Sequence, residues 1–68
     1  MYGTLKNSEV RQLAYEIARD HPEFNCNDSY HRNIESWAKA RGGAEVGTWN
    51  AWTQGWAEGL QLHMKPKA

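Results

Sequence analysis

The run Thr48-Trp-Asn-Ala-Trp-Thr-Gln-Gly-Trp-Ala-Glu-Gly-Leu60 limits this chain more than any other stretch. Trp49, Trp52 and Trp56 are followed by Leu60 and His63, so the series advances by three, four, four and three residues. That is the period of one α-helical face, not the alternation of a strand. Gly55 and Gly59 stand beside the stripe. Each costs about 1 kcal/mol relative to alanine in a helix interior. What they offer in return is bare backbone beside bulky indoles, which lets another helix come close. That helix belongs either to this chain or to a second copy of it.

Two further helices can be read upstream. Val10, Leu13, Ala14, Ile17 and Ala18 recur at helical spacing. Asn7 or Ser8 is placed to cap them, and Pro22 stops them. Tyr30, Ile34, Trp37, Ala38 and the stem of Arg41 line a second face. Asn27 or Asp28 is a suitable cap there, and Gly42-Gly43 a suitable end. Thr48 is the expected cap of the Trp-bearing helix. The expectation is an all-α, compact three-helix domain with helices at about 8–20, 28–41 and 49–63. A short extra turn is expected around Pro22–Cys26, and a frayed tail over 64–68.

With 68 residues the chain is expected to form one domain, 1–68. A domain near this length buries only about 60% of its unfolded surface, so its core depends on large side chains. Of 27 hydrophobic residues, 19 are larger than alanine, and eight of these are aromatic. The plain reading of the Trp stripe is therefore core. The functional reading is a partly exposed aromatic patch that docks a partner, since Trp and Tyr are enriched at binding hot spots.

Charge narrows the partner. Eight basic and eight acidic side chains cancel. Residues 1–34 carry four basic and five acidic groups, and residues 35–68 four and three, so no charged half is hidden. This argues against a protein that grips phosphates non-specifically, and against an acidic mimic of nucleic acid. Arg32, Lys39 and Arg41 on the second helix are the residues a small helical DNA- or RNA-binding module would use, but Glu35 lies among them.

Chemistry finds little foothold. His21, Cys26, Asp28 and His31 are zinc-ligand types, yet their spacing matches no zinc module and no second cysteine is present. No metal and no cofactor are expected. Cys26 with a nearby histidine could be read as a nucleophile and base. A chain this short has little room for a pocket, an oxyanion hole and a cleft together, so no enzyme is expected. A single cysteine points to a reducing, cytoplasmic setting. The first residues do not read as a signal peptide, and no apolar run approaches a membrane span.

Ile34-Glu-Ser-Trp-Ala-Lys-Ala-Arg-Gly-Gly43, followed by Trp49-Asn-Ala-Trp-Thr-Gln-Gly-Trp56, resembles small accessory proteins encoded by bacteriophages and prophages. The resemblance covers about residues 30–62. It implies a host-cell cytoplasmic setting and a partner that is a host protein, blocked by binding, as anti-defence and host-takeover proteins do. The expected function is thus a non-enzymatic protein-binding module. Its anchors are the exposed members of Tyr30, Trp37, Trp49, Trp52 and Trp56. The alternatives are the nucleic-acid module above and a self-associating structural protein, a homodimer joined at Gly55 and Gly59.

Overall fold

The computed structural model describes residues 3–63. Three helices account for the fold: α1 (Asn7–Asp20), α2 (Cys26–Arg41) and α3 (Thr48–Gln61). No described residue belongs to a strand, and no helix is long and apolar enough to cross a membrane. The expected tail over 64–68 lies outside the described residues.

Local chemistry sets the ends. The Glu9 carboxylate accepts from the Lys6 N–H at 3.3 Å, satisfying one orphan donor at the start of α1. Helix α2 begins two residues earlier than its sequence suggested. Asn25, not Asn27 or Asp28, is the cap, and its Oδ1 accepts from the Asp28 N–H at 3.0 Å. Helix α2 ends as expected. Gly42 takes a φ of 80°, and the Gly43 N–H reaches back to the Ala38 carbonyl at 2.7 Å. This is the 6→1 bond of a Schellman ending, which glycine reaches without strain. The expected turn after α1 is a single one, closed by the Phe24 N–H on the His21 carbonyl at 3.0 Å.

Thr48 is not the cap of α3. Gly47 holds that position with a φ of 90°, and Thr48 is already helical. The Thr48 hydroxyl instead meets the Tyr30 hydroxyl at 2.9 Å, tying α2 to the start of α3. His63 stands beyond the helix rather than in it. Its ring Nε2 lies 2.5 Å from the Arg19 carbonyl at the end of α1.

The helices run up, down and up. Residues rising along α1 meet residues rising along α3: Asn7 reaches Val46, Arg11 reaches Glu58 and Arg19 reaches His63. So α1 and α3 are parallel neighbours, and α2 is the return leg. The α1–α3 interface is the closest in the molecule. Val10, Ala14 and Ala18 are fully buried on α1, opposite Ala51, Gly55 and Gly59 on α3. Small residues at i and i+4 on both helices make two shallow rows, and the backbones close onto each other. A Cβ built on Gly59 would lie 2.5 Å from the Tyr15 carbonyl oxygen and 2.7 Å from the Ala18 Cβ. One built on Gly55 would strike the Arg11 carbonyl.

Trp52 and Trp56 fill the space between this pair and α2, at 0% and 5% exposure. Their rings stack at 5.7 Å, and Trp52 Nε1 donates to the Cys26 carbonyl at 3.1 Å. Each indole buries about 200 Å², which at roughly 25 cal/mol per Å² stabilises by at most about 5 kcal/mol. Leu5, ahead of α1, is 1% exposed and belongs to the same core. It is held by two backbone bonds of 3.0 Å, from its own N–H to the Gly43 carbonyl and from the Glu45 N–H to its carbonyl.

Candidate functional site

The five aromatic candidates separate by burial. Trp52 and Trp56 are core, as the plain reading of the stripe has it, so neither is among the exposed members that could anchor a partner. Tyr30 is half-buried and structural. Its hydroxyl bonds Thr48, and its ring takes edge contacts with Trp49 at 4.8 Å and Trp52 at 5.9 Å. Trp37 and Trp49 remain, each 43% exposed. They do not form one surface. Trp49 leans on Tyr30 between α2 and α3, whereas Trp37 walls a groove against α1.

That groove has a volume of about 360 Å³, room for one large side chain or two small ones. Leu5, Leu13 and Trp37 are its apolar lining, and Ser8, Glu9, Gln12 and Glu16 line it along α1. Positions 8, 9, 12, 13 and 16 share one face of α1, and Leu5 lies in the segment just ahead of the helix. The buried Leu5, held by two backbone bonds, forms the floor of the groove.

Its electrostatics centre on Arg41. The Arg41 guanidinium meets the Glu9 carboxylate through two bonds, Nη2–Oε2 at 2.6 Å and Nη1–Oε1 at 3.2 Å. Bidentate pairs of this kind are the stronger, shape-specific sort. Hydrogen bonding from Arg41, and then from the Lys6 N–H, holds the Glu9 carboxyl below its usual range. The same guanidinium lies 5.7 Å from the Trp37 ring centre, within cation–π reach. Glu16 accepts from Gln12 Nε2 at 2.7 Å and makes no ion pair among the described residues.

The basic set for nucleic acid is broken up. Arg41 is committed to Glu9, with a side chain only 13% exposed. Arg32 and Lys39 are exposed on α2, but His31 and Glu35 pair at 2.8 Å on the same helix. Gly55 and Gly59 are also taken. Both are buried against α1, so the close helix pair they permit lies within the chain, and a twofold contact through them has no surface to use.

The His21, Cys26, Asp28 and His31 set does not assemble, and no three His, Cys, Asp or Glu side chains among the described residues are placed to hold a metal. His21 pairs with Glu23 at 3.7 Å and stacks on Phe24 at 4.5 Å. Burial pushes the Cys26 thiol up, away from the thiolate a nucleophile needs.

The burial of three apolar residues outside the helices could not be read from the sequence. Leu5 stands outside any helical pattern, so periodicity could not find it. Val46 is 96% exposed in the loop before α3, and Phe24 is 47% exposed in the turn after α1. An isolated apolar residue in a loop carries no sign of which way it points.

Compared with models of known protein families, with curated proteins and with solved structures, the chain matches none of them.

Proposed function

We propose that this protein is a non-enzymatic protein-binding module that docks a partner through the α1–α2 groove, with Trp37 as its anchor. The observation that supports this is the half-exposed Trp37 beside the apolar floor made by Leu5 and Leu13. A large aromatic kept half in water, in a chain short of core material, sits at a cost that a binding role would explain. Anchors of this type, flanked by polar groups that shut out water, carry much of the energy at protein interfaces. A stable interface covers about 800 Å² per partner, so the groove is the anchor point of a wider contact. In the setting implied by the resemblance to phage accessory proteins, the partner is a host protein and the outcome is its inhibition.

The test is affinity capture from a bacterial lysate with the wild-type chain and with Trp37→Ala, each shown by circular dichroism to be folded. A partner retained by the wild type and lost with Trp37→Ala supports the reading. A captured set that is the same for both chains, or none above the bare resin, overturns it.

A further inference from the structure

The groove beside Trp37 carries information about what it would accept. Arg41 shows how this site treats a cation: the guanidinium is held against the indole at 5.7 Å while Glu9 grips it from the side. Glu9 is satisfied by that pairing. Glu16 lines the same groove one helical turn beyond Gln12 and makes no ion pair among the described residues; Arg19, the cation on its own helix that acts on it, is forked onto Asp20. The charged side chains lining the groove are thus two carboxylates, one in a bidentate ion pair and one in none among the described residues. The two arginines at hand are each held by a carboxylate of their own, Arg41 by Glu9 and Arg19 by Asp20.

Resting on the docking role proposed above, we infer that the groove recognises a basic segment of a partner protein: an Arg or Lys flanked by apolar side chains. The apolar residue enters between Leu5, Leu13 and Trp37. The cation lies toward Glu16, repeating with the partner's side chain the carboxylate–cation contact that Glu9 makes with Arg41. Arginine suits this better than lysine, because its planar head both stacks on an indole and bonds a carboxylate in a fork. An acidic segment meets Glu16 as a like charge and is disfavoured.

The experiment titrates the full chain with three capped tripeptide amides, Leu-Arg-Leu, Leu-citrulline-Leu and Leu-Glu-Leu, following the indole N–H signals by NMR. Citrulline keeps the shape of arginine without its charge. The arginine peptide is expected to move the Trp37 signal and to bind about two- to fivefold more tightly than the citrulline peptide, the span of an exposed ion pair. Glu16→Gln, an exposed change that leaves the core alone, is expected to bring that ratio to about one, as is high salt. Equal binding of the arginine and glutamate peptides overturns the inference, as does a ratio unmoved by Glu16→Gln, or no response to any peptide. Should lysate capture still depend on Trp37 in those cases, the docking role survives and only the basic partner falls. Should capture not depend on Trp37, the docking role itself fails.

Discussion

The carbonyl of Arg11 lies against the α-carbon of Gly55, so closely that α1 and α3 leave no space for a side chain there. Two opposite effects then compete in Gly55→Ala. Helix propensity favours alanine by about 1 kcal/mol. Forcing a methyl into backbone that cannot move aside costs about 1–3 kcal/mol or more. The obstructing atoms belong to the main chain of α1, so the second effect wins. Both Gly55→Ala and Gly59→Ala are expected to lower stability by about 1–2 kcal/mol in urea unfolding. A gain in stability would mean that the helices do not approach this closely.

Leu5 and the 43–45 segment make a second test. Leu5→Ala leaves a cavity at a site 1% exposed and is expected to cost about 2–5 kcal/mol. In a chain this small, much of the population would unfold. The amides of Leu5 and Glu45, bonded at 3.0 Å, should exchange with solvent as slowly as core helical amides. Fast exchange at both would show the segment to be loosely attached.

The Glu9–Arg41 pair gives acid sensitivity of known sign. Arg41 lowers the Glu9 carboxyl pKa on folding, so the pair contributes fully above the unfolded value near 4.5. The contribution is lost as pH falls through the lower, folded value. Glu9→Gln is therefore expected to lower stability at neutral pH, and to show a shallower loss than the wild type as pH falls below about 4.5. Parallel stability curves for the two chains would separate Glu9 from the acid response.

Burial divides the four indoles into two pairs. Trp37 and Trp49 are accessible, while Trp52 and Trp56 are not. Iodide is expected to quench part of the emission only. The double variant Trp37→Phe/Trp49→Phe should retain a blue-shifted emission that iodide barely touches. Strong quenching of that remainder would place Trp52 or Trp56 at the surface.

The helices were legible because each announces itself locally. Val10 to Ala18 keep one face, and Gly42-Gly43 stop α2 by a mechanism that only glycine performs cheaply. The glycine pair in α3 was legible as a demand for a close neighbour, but not as to which neighbour. Spacing along one helix carries no address for the other, and α1 answered with Ala14 and Ala18. The Trp stripe misled in a different way. Trp49 and Trp52 share a face by sequence, but only one of them lies over the interior, because Tyr30 occupies the rest of that side. The groove was not legible at all. It needs Trp37, Leu13 and Leu5 from three segments, and Leu5 follows no period.

The parallel pairing of α1 and α3 has a consequence for how the chain is made. Arg11 and Gly55, which touch, are 44 positions apart. The tightest seam of the molecule therefore closes its widest loop, and neither face of it can be covered until α3 has been synthesised. Before α3 is available, Val10, Ala14 and Ala18 lack the surface they are buried against. Folding is thus expected only once α3 is available to α1, and a chain truncated before Trp52 should be cut by protease throughout.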